Sequence, residues 1–177
     1  YRGTHSVAPD FAYEVAAQKT RPEEREGLDL SCWRHALNGA EPIRAAHEER
    51  FVAAFAPHGL AADVLSHSYG MSEATAELTA EPPGARGRFV RLDAAALERG
   101  LVRDAAPDDP RARRVAGCGV PAGGTEVCVV DPETCTACPP DHVGEVWVRG
   151  PSVARGYWSA PAATEAVFRA RRADAPD

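Results

Sequence analysis

The chain is 177 residues long, 44% hydrophobic and 26% charged, which suits a globular protein with one good core and at most a small second one. A formal net charge of −6 gives no reason to expect nucleic acid or an anionic membrane as partner. No apolar run is long enough for a membrane span and no signal peptide opens the chain, and five irregularly spaced cysteines fit a reducing cytoplasm.

The abrupt opening at Tyr1-Arg2-Gly3, without an initiator Met, reads as a piece of a longer protein. Thr4 to Asp10 is extended and contains Pro9. Asp10 is expected to N-cap a helix from Phe11 to Lys19 with Phe11, Ala12, Val15 and Ala16 on its apolar face. Arg21 to Gly27 is a charged connector, a solvated loop or a short helix. Arg34 to Asn38 reads as a strand that delivers the turn Asn38-Gly39-Ala40-Glu41-Pro42. Gly39 and Ala40 are small, so a planar base can lie against the main chain there. Pro42 suits the first turn of a helix from about Ile43 to Ala56, with Ile43, Ala46, Phe51, Ala54 and Phe55 as its buried stripe and Gly59 as its stop.

Val64 to Tyr69 reads as a strand, Gly70 as a turn and Ser72 to Leu78 as the start of a helix. The stretch Ser68-Tyr69-Gly70-Met71-Ser72-Glu73-Ala74-Thr75 thus gathers an aromatic face, an approachable backbone, hydroxyls and a carboxylate. Tyr69 suits stacking on a flat heterocycle, and Glu73 offers a hard oxygen ligand for Mg2+ carrying phosphates. Alone, the stretch reads as well as an ordinary strand-to-helix turn with a core Tyr and a solvated Glu.

Residues 80 to 115 form a candidate inserted segment. Its Phe89 to Leu92 reads as a strand, Asp93 caps a helical turn from Ala94 to Arg99, and Asp104 to Arg114 is a polar loop whose Arg111, Arg113 and Arg114 read as solvated, with phosphate contact as the alternative. Val127 to Val130 and Val143 to Arg149 read as a β-hairpin, part of a small barrel or sheet, and Ala162 to Arg171 as a final helix held by Val167 and Phe168. Cys32, Cys118, Cys128, Cys135 and Cys138 are odd in number and irregular in spacing, which argues against a disulfide scaffold. Cys135-Thr136-Ala137-Cys138 has CxxC spacing with no second pair, so it reads as a hairpin tip carrying thiols; a makeshift zinc site drawing on His142 or Cys128 is the alternative.

Three stretches, in order, resemble the adenylate-forming enzymes: acyl-CoA synthetases, peptide-synthetase adenylation domains and fatty-acyl-AMP ligases. Ser68 to Thr75 is similar to their Tyr-Gly-x-x-Glu-Ala-Thr element, and Asn38 to Pro42 to their adenine-binding strand end. Gly144-Glu145 through Gly156-Tyr157-Trp158 resembles their Gly-Glu…Gly-Tyr-Trp segment. Ala8-Pro9-Asp10-Phe11-Ala12-Tyr13 and the segment around Leu92 to Gly100 are similar to fatty-acyl-AMP ligases in particular, with Asp10 where that family usually has Asn.

The resemblance implies an α/β fold, the latter part of the large domain of such an enzyme, with a mixed sheet, flanking helices and a small β-hairpin or barrel portion. It implies residues 1–116 as the α/β portion and 117–177 as a β-rich portion of one domain. It further implies ATP and Mg2+, a fatty acid substrate and an acyl carrier protein as partner; the alternatives are a fragment of an acyl-CoA synthetase or peptide-synthetase adenylation domain, or a truncated non-catalytic remnant. Asn38, Gly39, Ala40, Glu41 and Pro42 would line adenine, Tyr69 would stack on it, and Ser68, Gly70, Met71 and Ser72 would shape the phosphate and acyl seat. Glu73 would hold the metal. The family's phosphate loop is expected upstream of Tyr1, and its ribose-binding Thr-Gly-Asp and mobile lysine-bearing domain beyond Asp177.

Overall fold

The computed structural model describes residues 2–82 and 84–175. In chain order its elements are β1 (His5–Pro9), α1 (Asp10–Lys19), α2 (Pro22–Arg25), β2 (His35–Gly39), α3 (Ala45–Phe55), β3 (Leu65–Met71), β4 (Ala76–Ala80), β5 (Phe89–Leu92), α4 (Ala94–Leu97), β6 (Arg113–Ala116), β7 (Val120–Pro121), β8 (Glu126–Asp131), β9 (Thr136–Ala137), β10 (Glu145–Arg149) and α5 (Pro161–Phe168). They fall into two interleaved units, Tyr1–Gly70 with Thr79–Val90 and Arg114–Val120, and Met71–Leu78 with Arg91–Arg113 and Pro121–Asp177.

The first unit is built on parallel strands. β1 pairs β2 with Ala8 beside Asn38, and β2 pairs β3 with Asn38 beside His67. Helices α1 and α2 cross over from β1 to β2, and α3 from β2 to β3, as parallel pairing requires. The larger sheet runs β1-β2-β3-β4-β7. Only residues 72–75 separate β3 from β4, too few for a crossover, so the sheet is mixed. Tyr13, Ala36, Phe51, Phe55, Leu60, Val64 and Leu65 form the core, and Phe51 takes Tyr13 and Trp33 edge-on at 5.0 and 6.0 Å.

Several expectations change. Helix α1 turns Tyr13 inward, whereas Phe11 and Val15 are 57% and 45% exposed. Asp10 is the first helical residue rather than the N-cap, because its carboxylate is drawn into the interior by polar partners. Helix α3 starts at Ala45, two residues later than expected, and its buried face is Ala45, Glu48, Phe51 and Phe55, with Ala46 exposed. An apolar pattern passes over Glu48, which is buried because its carboxylate is hydrogen-bonded. Gly70 is not a turn, since β3 continues through it to Met71. The helix expected from Ser72 is a single 3-10 turn, Ser72–Ala74; Thr75 and Ala76 then take φ of 61° and 80°, which ends the helix and starts β4.

The second unit carries the expected hairpin with one strand more. β10 pairs antiparallel with β8, Trp147 opposite Cys128, and β9 pairs with the other edge of β8. The Asp93 carboxylate accepts the Ala96 N–H at 2.9 Å and so caps α4. Leu92 and Ala96 are buried, while Val90 is exposed. Helix α5 ends at Phe168, short of Arg171, and Val167 points outward.

Candidate functional site

Parallel strands place the C-terminal ends of β2 and β3 side by side, where open α/β sheets take ligands. The two ends touch. A Cβ on Gly39 would lie 2.4 Å from Ser68 Oγ and 2.9 Å from its carbonyl oxygen, so only glycine allows this approach. Beyond it lies a cavity of about 470 Å³, lined by Ala40, Glu41, Pro42 and Ile43 on one side and Ser68, Tyr69 and Gly70 on the other. Arg114, Val115, Ala116 and Cys118 complete its wall. Ala40 takes φ of 67°, which turns the chain away from the strand and opens the main chain to the cavity. The lining combines small side chains, the aliphatic Ile43 and Val115, the half-exposed Tyr69 ring and two charged groups, Glu41 and Arg114; its largely apolar surface with one aromatic face suits a flat heterocycle. Arg114 lies over the Phe89 ring at 5.5 Å and its guanidinium pairs with Glu49. Burial, with the Glu81 charge, pushes the Cys118 thiol up, so it stands in the wall as a neutral group.

Behind the two strand ends lies a buried polar network that sequence reasoning missed. Asp10 Oδ1 accepts from Asn38 Nδ2 at 3.1 Å and from the Arg44 N–H at 3.2 Å, and Oδ2 meets His47 Nδ1 at 2.5 Å. Asn38 Nδ2 also donates to Glu48 Oε1 at 3.0 Å, and His67 Nε2 reaches the same oxygen at 3.0 Å. The Asn38 side chain, expected among the ligand-binding groups, therefore faces the interior and sits outside the lining. Glu41 lies on the rim, and its carboxylate accepts the Phe11 N–H at 2.5 Å. That contact caps α1 from thirty residues away, the role assigned to Asp10 from the sequence. Tyr13 donates its hydroxyl to the Leu37 carbonyl at 3.1 Å, and burial pushes its pKa up to about 12.

Met71, Ser72 and Glu73 belong to the second unit. There the Glu73 carboxylate accepts the Tyr157 hydroxyl, which holds Glu73 below the ordinary glutamate range and Tyr157 above the ordinary phenol. The Glu73 carbonyl takes the Ala154 N–H at 2.8 Å, and Thr75 Oγ1 donates to the Ser152 carbonyl at 2.8 Å. Tyr157 is itself braced, with its N–H on Thr164 Oγ1 at 2.9 Å and its ring edge-on to Phe168 at 5.1 Å. A Cβ on Gly156 would strike Thr164 at 2.3 Å, so the glycine before Tyr157 is required by packing. The Gly-Tyr-Trp resemblance was the available signal for Tyr157, although nothing in the sequence joins it to Glu73. Cys135 sits in a left-handed turn residue of the hairpin tip, and the cysteines are free thiols. Among the described residues no three His, Cys, Asp or Glu side chains gather into a metal-holding group.

The model of the AMP-binding enzyme family matches residues 3–158. The chain belongs to that family. Within it, the medium-chain-fatty-acid–[acyl-carrier-protein] ligase JamA of Moorena producens is 43% identical over 98% of this chain and 30% of its own length. The crystal structure of the fatty acid AMP ligase from Legionella pneumophila superposes with a TM-score of 0.94 at 36% identity, over 99% of this chain and 30% of that one. A fatty acyl-adenylate ligase of L. pneumophila in complex with acyl adenylate and pyrophosphate gives 0.88 at 38% identity, over 93% of this chain and 29% of that one. The chain thus spans about 30% of the length of these relatives. The α/β architecture with a mixed sheet is that of adenylate-forming enzymes.

Proposed function

We propose that this chain is part of the AMP-binding domain of a ligase that activates a fatty acid with ATP and passes the acyl group to an acyl carrier protein. The observation that carries this reading is the 43% identity to JamA across nearly the whole chain, together with a cavity at the strand ends whose lining fits a nucleobase. Residues 1–116 would supply the α/β part of that domain and 117–177 its β-rich part, with 80–115 as a segment typical of fatty-acyl-AMP ligases. The enzyme would work in the cytoplasm; no helix among the described residues is long and apolar enough to cross a membrane.

In the reaction a fatty carboxylate oxygen bonds to the α-phosphorus of ATP and the bond to pyrophosphate breaks. Two anions must approach, so the chain's task is to hold each group and to counter the charge. The Tyr69 ring stacks on adenine, and the Gly39, Ala40, Glu41 and Pro42 backbone lies along the base. Ser68, Gly70, Met71 and Ser72 shape the seat for phosphate and acyl groups. Glu73 would hold Mg2+ as a single carboxylate, leaving the remaining positions to phosphate oxygens and water, the coordination this ion prefers. When bound, Mg2+ neutralises charge on the phosphoryl oxygens. Tyr157 keeps the Glu73 carboxylate ionised and fixed in direction. Asn38 would act through Asp10 and Glu48, by fixing the strand end that carries Gly39.

ATP–pyrophosphate exchange by the complete ligase, assayed with medium-chain and long-chain fatty acids, tests the reading. Exchange dependent on fatty acid and Mg2+ is expected. Its absence with every fatty acid would overturn it.

A further inference from the structure

His67 precedes Tyr69 by two positions on β3 and is fully buried. Its Nε2 lies 3.0 Å from Glu48 Oε1, and its Nδ1 lies 2.9 Å from the carbonyl oxygen of Gly117. A carboxylate and a carbonyl only accept, so both ring nitrogens carry hydrogen and the ring is an imidazolium. The surroundings agree. Burial pushes the His67 pKa down, but the hydrogen bond and charge of Glu48, with the Gly117 carbonyl and the Glu81 charge, outweigh it and hold His67 above the ordinary histidine range.

The ring is also clamped. A Cβ on Gly87 would lie 2.3 Å from His67 Nε2, so the chain passes flat against it, and Phe89 meets it edge-on at 4.9 Å. Gly117 in turn donates its N–H to the Arg88 carbonyl at 2.9 Å. Both polar main-chain groups of Gly117 are thereby fixed, and its neighbours Ala116 and Cys118 line the cavity.

We infer that His67 is a positioning residue for the nucleotide: by bridging Glu48 of α3 to the Gly117 carbonyl, it fixes the Arg114–Cys118 wall of the cavity. The inference rests on the nucleotide reading of that cavity proposed above. The charged groups around the ring are Glu48, Glu81 and, across Phe89, Arg114, with Asp10 and His47 linked through Asn38. A neutral imidazole donates from one nitrogen only, so loss of a proton leaves either Glu48 or Gly117 without its donor. Because the folded pKa is raised, the bridge is complete below the ordinary histidine pKa and is lost as pH rises through the folded value. Glu48→Gln keeps an acceptor oxygen for Asn38 and His67 but removes the charge. His67 then loses its proton, and the bridge is broken, at lower pH than in wild type.

The test is calorimetric titration of the complete ligase with ATP alone, from about pH 7 to about pH 9.5, for wild type, Glu48→Gln and His67→Leu. Wild type is expected to lose roughly threefold to tenfold in affinity across that range, the size of one hydrogen bond. Glu48→Gln should lose affinity at lower pH than wild type, and His67→Leu should bind weakly throughout. Superimposable profiles in wild type and Glu48→Gln, or wild-type affinity in His67→Leu, would overturn the inference while leaving the nucleotide reading intact. Wild type that binds no ATP at any pH would remove both.

Discussion

Glu73 and Tyr157 stand eighty-four positions apart, yet one hydroxyl–carboxylate contact joins them. Glu73→Gln keeps the shape and the acceptor oxygen but removes the charge proposed to hold Mg2+. Adenylation by the complete ligase should fall by about 10²–10³, as for the loss of one electrostatic stabiliser; wild-type rate at limiting Mg2+ would return Glu73 to a solvated turn residue. Tyr157→Phe should act more mildly and through pH. The hydroxyl lowers the Glu73 pKa, so the contact is present above the ordinary glutamate range and lost as pH falls through the lowered value. Without it the acidic limb of the pH–rate profile should move to higher pH, and an unmoved limb would show that Tyr157 does not tune Glu73. Gly39→Ala tests the close contact of the two strand ends. With Ser68 Oγ 2.4 Å from the added carbon, ATP binding should weaken by tenfold or more because the strand ends must part, on the scale of about 1–3 kcal/mol for overpacking. Unchanged affinity would mean that Ser68 simply rotates away.

At the level of elements, the α/β alternation was legible because β1 and β2 are short strands that are each followed by a helix, as β2 and α3 show. The helix faces were less so. Glu48 and Asp10 are buried in positions that a hydrophobic pattern assigns to solvent, because His67, His47 and Asn38 satisfy them from elsewhere in the chain. Tyr13 rather than Phe11 faces the core for a related reason: the interior position of Asp10 fixes the helix rotation. The turn after Met71 was misread because Ser72 to Leu78 has good helical composition, whereas Thr75 and Ala76 adopt left-handed angles that sequence rarely signals outside glycine and asparagine. Of the candidate site, Ala40, Glu41, Pro42, Ser68, Tyr69 and Gly70 do line one cavity, but the polar network behind the strand ends could not be read, since its members come from two helices and two strands. Phe51 is the packing centre of the first unit, touching Tyr13, Trp33 and Phe55. Phe51→Ala should cost about 3–5 kcal/mol of stability in chemical denaturation. A loss below about 1 kcal/mol would place the core elsewhere.

For the whole molecule, the chain spans about 30% of the relatives it matches, so on the proposed reading residues 1–177 would supply part of the chemistry. The proposed reading expects the phosphate loop and the ribose-binding carboxylate in other parts of such a ligase. Residues 1–177 alone should therefore give no ATP–pyrophosphate exchange above background, and turnover by that piece would contradict the proposed division of roles. The central claim concerns the fate of the activated acyl group. Mass spectrometry of the products made by the complete ligase from ATP, a fatty acid, free coenzyme A and an acyl carrier protein tests it most directly. The account predicts acyl-adenylate and acyl carrier protein thioester with little acyl-coenzyme A; efficient formation of acyl-coenzyme A would contradict it.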